Sequence, residues 1–314
     1  EAAVDRHRYF AVGFIAYEAA AAYGLAVHAP LPDLPLLWFG LYENAETRNN
    51  RAFESARSPS PDSYSVGRWQ PAVDQADYEM IVGRVKDYLA RGHTYQINYT
   101  FPLHAAFDGE PLAFFADLAT AQPTEYAAFI DTGRFAVCSI SPELFFRLDG
   151  EQLSAKPMKG TAARGRTLAE DEARIAELRR SEKNRAENLM IVDMLRNDLG
   201  RVARVGSVTV PRLFEVERYP TLLQMTSTVA ARTRASVAEI LASLFPCASI
   251  TGAPKVRSME IIRELEPQPR GVYTGAIGFI GPERHARFNV AIRTALIDRK
   301  RRQVTYGVGG GLVW

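Results

Sequence analysis

Lysine is scarce in this chain, 6 residues against 32 arginines, so each retained lysine is a candidate for the reactivity of its amine. Lys159 stands out in "KPMKGTAARG". A free lysine amine titrates near ~10.4 and becomes a nucleophile at neutral pH only where its charged form is disfavoured, by burial or by neighbouring cations. Lys156, Arg164 and Arg166 would supply the second effect, and Gly160 would let a substrate approach the backbone closely. The alternative for the same residues is a basic surface loop.

Other stretches hold groups suited to a small polyanion. Glu187 shares a helical face with Met190, Ile191, Met194 and Leu195. A carboxylate on an apolar stripe needs an ion-pair partner or a metal, and magnesium, which takes one or two carboxylates plus water and substrate oxygens, would suit it. In "SITGAPKVRSMEII" the residues Thr251, Gly252 and Ala253 precede Pro254 at an expected helix start, where free N–H groups and Lys255 would attract an anion. Alternation in "RFNVAIRTALI" predicts a strand with Phe288, Val290 and Ile292 on one face and Asn289, Ala291 and Arg293 on the other. Arg293 is then either a fork for a carboxylate or a solvent-facing charge. "GVGGG", Gly307 to Gly311, offers bare backbone N–H groups but lacks the strand-to-helix context of a dinucleotide fingerprint.

Elements of both kinds must position these groups. Helical spacing marks 77–91 (Ile81, Val85, Tyr88, Leu89), a charged stretch from Leu168 to Arg185, a continuation ending at Gly200, a helix near Val237 to Leu244 and another from Pro254. An alanine-rich helical stretch follows "RYFAVGFI", and three prolines lead into the apolar strand around "LLWFGLYE". "HTYQINYTFPL" reads as a strand, and "RFAVCSISPELFFRLDGEQLSAKPM" as consecutive strands broken at Ser141-Pro142 and Asp149-Gly150. Three strands are expected at the end, and a loop over 55–63. Irregular mixing of strands and helices with hairpin signals favours α+β with antiparallel sheets over a doubly wound parallel sheet.

Composition excludes several classes. With 38 basic and 36 acidic residues the net charge is +2, so no global field recruits nucleic acid. No apolar run reaches the ~18 residues of a membrane helix, and no signal peptide is visible. Cys138 and Cys247 lie in apolar runs without metal-ligand or disulfide spacing, which points to a reducing, cytoplasmic setting.

In order along the chain, "SPELF", "KPMKGTAARG", "AENLMIVDMLRNDLGRV", "YPTLLQMTSTV", "ITGAPKVRSMEII", "RGVYTGAIGF", "FNVAIRT" and "GVGGGLV" resemble the motifs of the chorismate-utilising enzyme family. The resemblance implies one domain over 1–314, with an N-terminal portion at 1–62 and the catalytic motifs at 77–314. Its fold would be α+β, two stacked, largely antiparallel β-sheets flanked by helices. Members that make anthranilate or isochorismate carry alanine at the position of Lys159, whereas those that aminate chorismate without losing pyruvate carry lysine. Isochorismate- and salicylate-forming members carry a further, water-activating lysine where this chain has Gln96. The implied activity is therefore formation of 4-amino-4-deoxychorismate, for para-aminobenzoate and folate. An anthranilate-forming enzyme and a catalytically silent scaffold for a glutaminase are the alternatives.

The implied mechanism has neutral Lys159 attack C2 of chorismate while Glu143 acts as general acid on the C4 hydroxyl. Ammonia then enters at C4 and expels the lysine. Mg2+ on Glu187 would neutralise the ring carboxylate, and Tyr273, Arg293 and backbone at Gly309 and Gly311 would hold the enolpyruvyl carboxylate. Gly160, Thr161, Thr251, Gly252, Lys255 and Gln96 would line the same cavity. A separate glutamine amidotransferase subunit would supply ammonia, and an aminodeoxychorismate lyase, fused or separate, would take the product. Three departures from the family pattern stand out: Gln224 where many members have histidine, Asn184 where anthranilate-forming members have an acid, and an end at Trp314 before the family's last metal carboxylates. The C-terminus is accordingly expected to be incomplete.

Overall fold

The computed structural model describes residues 1–46 and 63–314, so of the loop expected over 55–63 all but Ser63 lies outside the described residues. The strands form two sheets, and their pairings are antiparallel throughout. One sheet runs β10 (Met158–Ala163), β12 (Leu222–Arg232), β9 (Gln152–Lys156), β8 (Leu144–Asp149), β15 (His285–Val290), β14 (Ala276–Gly281), β1 (Phe10–Ile15), β2 (Leu37–Tyr42), with β11 (Thr209–Arg218) against β12. The other runs β13 (Gly252–Ala253), β5 (Gln96–Gly109), β17 (Gln303–Val313), β16 (Thr294–Asp298), β7 (Phe135–Ser141), β6 (Tyr126–Asp131), with the short β3 (Tyr64–Val66) and β4 (Gln70–Pro71) against β5.

Apolar residues on the facing sides weld the sheets: Phe14 and Ile277 of the first meet Phe135 and Val137 of the second. Helices cover the outer faces. Ile191, Leu195 and Leu199 of the helix Glu182–Gly200 pack on Phe145, Leu153 and Val229 of the first sheet. Ile81 and Val85 of the helix Gln75–Ala90, with Ile261 and Ile262 of the helix Lys255–Leu265, pack on Ile97 and Tyr99 of β5. Each such aliphatic side chain, fully buried, contributes about 1.5–3 kcal/mol. This is the two-sheet α+β architecture that the sequence implied. Among the described residues no helix is long and apolar enough to cross a membrane.

Several local expectations change. The alanine-rich stretch is a 3-10 helix, Tyr17–Tyr23, stopped by Gly24 at φ +74°. The charged helical run breaks at Ser181, which ends the helix Leu168–Arg180 in an extended conformation and caps the next by accepting from Asn184 N. Four strands rather than three follow the helix Lys255–Leu265. The single strand expected through "RFNVAIRTALI" is two strands in different sheets: β15 ends at Val290, and the chain crosses at 291–293 to begin β16. Strict alternation therefore fails, and Phe288, Asn289, Val290 and Ala291 are all buried. Arg293 takes φ +49°, the left-handed region that costs a non-glycine residue about 1 kcal/mol or more.

That crossing runs beside a second one. Between β7 and β8 the chain passes from the second sheet to the first through Pro142 and Glu143. The two crossings bond to each other: Val290 N donates to Glu143 O at 3.0 Å, Ile140 N to Arg293 O at 3.0 Å, and Ser141 Oγ to Val290 O at 2.6 Å. Glu143 and Arg293, far apart in sequence, are thereby fixed at the seam between the sheets.

Candidate active site

A cavity of about 310 Å³ opens at this seam, lined by Asn98 of β5, Glu143, Met158 and Lys159 of β10, Ser249, Ile250, Tyr273, Ile292, Arg293 and residues 306–309 of β17. Lys159, Glu143, Tyr273, Arg293 and Gly309 are thus brought together as expected. A second cavity of about 280 Å³ shares only the wall residues Tyr273 and Gly307 and contains neither Lys159 nor Glu143.

Glu143 is 4% exposed, and its Oε1 has no partner. Burial raises its carboxyl to about 7, against a lowering by the Ser249 hydroxyl, by the charge of Lys159 and by the Met158 N–H. Lys159 donates to Ser249 O at 3.5 Å. Burial lowers the pKa of its amine, opposed by Glu143, Glu187 and Cys247. The cavity therefore disfavours both charges, leaving an amine that can be neutral and a carboxyl that can hold a proton.

The cause of the lysine's shift differs from the expectation. Arg164 is committed to Asp171, at 2.5 Å, and to Tyr219 O, at 2.7 Å, while Lys156 pairs with Glu217. Arg166 is exposed, with its backbone N–H on Glu170. Desolvation, and not this set of cations, lowers the pKa of Lys159.

Other expected lining residues are used structurally. Lys255 donates to Asp198 at 2.7 Å and to Leu244 O at 3.0 Å, a pair buried behind the helix start, so it offers no charge to the cavity. Thr251 is fully buried with its hydroxyl on Cys247 O and Ala248 O, and its carbonyl accepts from Asn98 N at 2.8 Å. Gly252 and Ala253 pair with β5 as β13, so these two residues are engaged in the sheet. A Cβ on Gly252 would lie 2.1 Å from Gln96 O, so glycine is needed there for close strand packing and not for ligand approach. Thr161 is exposed and donates to Gln224 Oε1 at 2.9 Å, while Gln224 Nε2 donates to Gly160 O at 2.9 Å. Gly160, at φ +90°, packs against Asn184. Gln224 thus ties down the strand that carries Lys159.

Gln96 and Gly311 lie beside the amine without lining the main cavity. A Cβ built on Gly311 would be 3.3 Å from Lys159 Nζ and 3.5 Å from Gln96 Nε2, and the fully buried Gln96 amide has no partner on either atom. Gly307 lies flat under Tyr273, whose ring a Cβ would meet at 2.2 Å, and burial raises the Tyr273 phenol well above its ordinary range.

Glu187 is 21% exposed, and its carboxylate faces Lys183 at 4.0 Å. Among the described residues no three His, Cys, Asp or Glu side chains cluster as a ready cage. A single half-buried carboxylate whose charge reaches Lys159 fits magnesium as one ligand, with the remaining positions left to water and substrate oxygens.

Sequence reasoning missed Asn98, Ser249 and Arg270. Asn98 was foreshadowed by Gln96, Asn98 and Thr100, polar residues at every second position of a strand and all buried. Arg270 sits behind the wall with 2% exposure and pairs with the equally buried Glu266 at 2.6 Å. It donates to Asn98 O and Ile250 O, each at 2.8 Å, and its own N–H, with that of Gly271, is accepted by Glu18 of the N-terminal 3-10 helix at 2.7 and 3.0 Å. One guanidinium therefore ties together three wall segments, those carrying Asn98, Ile250 and Tyr273.

Comparison with known proteins agrees with this architecture. The chain is 43% identical over 243 residues to an aminodeoxychorismate synthase of Streptomyces griseus, covering 76% of this chain and 33% of that protein. It is 39% identical over 258 residues to aminodeoxychorismate synthase component 1 of Escherichia coli K12, covering 82% and 56%. The chain thus spans about a third to just over half the length of these relatives. Anthranilate synthase component I from Streptococcus pneumoniae superposes with a TM-score of 0.82 at 26% identity, over 96% of this chain and 75% of that one. The model of the chorismate binding enzyme family matches residues 1–314. With its motifs, sheets and central cavity all in agreement, the chain belongs to the chorismate binding enzyme family.

Proposed function

We propose that the chain aminates chorismate at C4 to form 4-amino-4-deoxychorismate. The observation that carries this reading is the pairing, in one buried cavity, of a lysine amine inclined to lose its proton with a carboxyl inclined to keep one. Neutral Lys159 forms a bond to C2 as both ring double bonds shift, C1=C2 to C1=C6 and C5=C6 to C4=C5, and the C4–O bond breaks. Glu143 delivers its proton to the departing hydroxyl, which leaves as water. Ammonia then bonds to C4, both double bonds shift back, the C2–N bond breaks to return the pair to Lys159, and the new C4 ammonium group gives a proton back to the Glu143 carboxylate. The enolpyruvyl group is untouched, so no pyruvate forms. Arg293 and the N–H groups near Gly309 suit the substrate's enolpyruvyl carboxylate, and Tyr273 closes that side.

Glu187 is the residue that would hold magnesium, whose charge would neutralise the ring carboxylate of chorismate. Neither cysteine suits glutamine hydrolysis: Cys138 and Cys247 are buried, and burial pushes both thiols up to about 12. Ammonia would come from a glutamine amidotransferase subunit, with free ammonium as a substitute.

Product analysis of the full-length protein with chorismate, magnesium and ammonium tests the reading. Aminodeoxychorismate without pyruvate supports it, whereas anthranilate with pyruvate overturns it. Chorismate affinity that does not respond to magnesium would remove the metal from Glu187, and absence of chorismate binding would leave a scaffold for a glutaminase.

A further inference from the structure

Met158 and Lys159 are neighbours on β10, yet both line the cavity. Successive residues of a regular strand point to opposite faces, so the strand breaks its alternation here. The pairing with β12 shows how. Met158 stands opposite Thr226 and Thr161 opposite Gln224, which leaves Lys159 and Gly160 together opposite the single residue Met225. This is a β-bulge, a device that re-aims a side chain beside an active site. Regular pairing continued from Met158 would set Lys159 opposite Met225 and would turn the amine away from the face that Met158 presents to the cavity.

We propose that Gln224 fixes this bulge and thereby acts as the positioning residue that holds the Lys159 amine in the cavity. Its amide spans the two residues that follow the lysine: Nε2 donates to Gly160 O at 2.9 Å, and Oε1 accepts from Thr161 Oγ1 at 2.9 Å. A side chain thus supplies bonds across a stretch where the ladder between the strands is interrupted. The clamp is itself held from behind. Gln224 is 7% exposed, Glu217 of β11 pairs with it on the other edge of β12, and Met225 is fully buried with Ile175 and Leu178 of the helix Leu168–Arg180. On the bulged strand, Gly160 accommodates the extra residue at φ +90°, and Pro157 O accepts from Ser227 N at 3.2 Å, which anchors the chain just before Met158. Residues 159 and 160 are left as the unpaired span, and the Gln224 amide is the group that closes it. The mechanism above gives Gln224 no part.

The inference rests on Lys159 as the nucleophile, so its test reads the place of the amine separately from turnover. Acetic anhydride acylates neutral amines, and mass spectrometry of the peptide carrying Lys159 follows that labelling against pH in the full-length protein. In the wild type the midpoint should lie below the ordinary ~10.4 of a free lysine, because burial disfavours the charge against the opposing influence of Glu143, Glu187 and Cys247. Gln224→Met keeps the length of the side chain and removes both bonds, so it should raise the midpoint toward the ordinary value. It should also lower kcat with free ammonium by about 10–100-fold, since a misplacement of about 1 Å costs about 10²-fold. KM for chorismate should change by less than about threefold. Thr161→Val removes one of the two bonds at an exposed position and should move both readings the same way by less, while Thr161→Ser should restore them. This second pair decides the matter if Gln224→Met does not fold. A midpoint unmoved by Gln224→Met, or by Thr161→Val where that is the variant read, overturns the proposal whatever happens to kcat. A moved midpoint with unchanged kcat leaves Gln224 its role and removes the lysine as nucleophile.

Discussion

Replacing Glu143 by glutamine should make the protein more stable at alkaline pH while removing its turnover. The carboxyl has a folded-state value of about 7 against 4.5 for the free group, because burial penalises its charge. A folded value raised above the unfolded one means that the unfolded state ionises first as pH rises. Stability is therefore lost progressively between about 4.5 and 7 and stays lost above. The gap of 2.5, from 7 minus 4.5, corresponds to about 3 kcal/mol at 1.36 kcal/mol per unit. Glutamine has nearly the same shape and never ionises, so the variant escapes this penalty. Urea denaturation midpoints measured from pH 4 to 8.5 should coincide at the acid end and diverge in favour of Glu143→Gln up to about 3 kcal/mol above pH 7. Turnover with ammonium should fall by about 10²–10⁴-fold, the usual contribution of a general acid. A stability gap that does not change with pH, or a variant less stable than the wild type at pH 8, would refute the assignment of a buried, costly carboxyl.

Further expectations follow from the same geometry. Lys159→Ala should abolish amination at C4 while chorismate affinity, measured by titration, changes only a few-fold; unchanged turnover would remove the lysine as nucleophile. Gly307→Ala places a methyl group 2.2 Å from the Tyr273 ring, so it should cost about 1–3 kcal/mol in denaturation and raise KM for chorismate as the ring is displaced. Arg270→Met leaves Glu266 buried without its partner and should destabilise by about 3–5 kcal/mol. Where it still folds, it should also loosen chorismate binding through Asn98 and Ile250, and an unchanged KM would separate that ion pair from the cavity wall.

Much of the architecture was legible because it depends on local rules. Alternation and turn residues identified β5 and the run from β7 through β9, and apolar spacing identified the helices Gln75–Ala90 and Val237–Leu244. These patterns reflect which side of an element is buried, and that is written in neighbouring residues. The breaks were less legible. Ser181 ends one helix and caps the next inside a uniformly charged run, and the chain leaves one sheet for another at 291–293 within a sequence whose alternation continues undisturbed. The sheet change is decided by Arg293 in a left-handed conformation and by bonds to Ile140 and Glu143, partners about 150 positions away in sequence.

The identities of Lys159, Glu143, Glu187 and Arg293, and the family to which their motifs point, could be recognised in the linear order of residues. Only tertiary structure decided what each charge does. Lys159 and Lys255 both stand in basic, glycine-flanked motifs, yet one amine lies in a cavity that disfavours its charge while the other is held by Asp198. Arg164 and Arg270 are both simply arginines in sequence, yet one is committed to Asp171 near the surface and the other ties together the cavity wall. A side chain's charge state depends on the water and partners around it, and those are set where the two sheets cross.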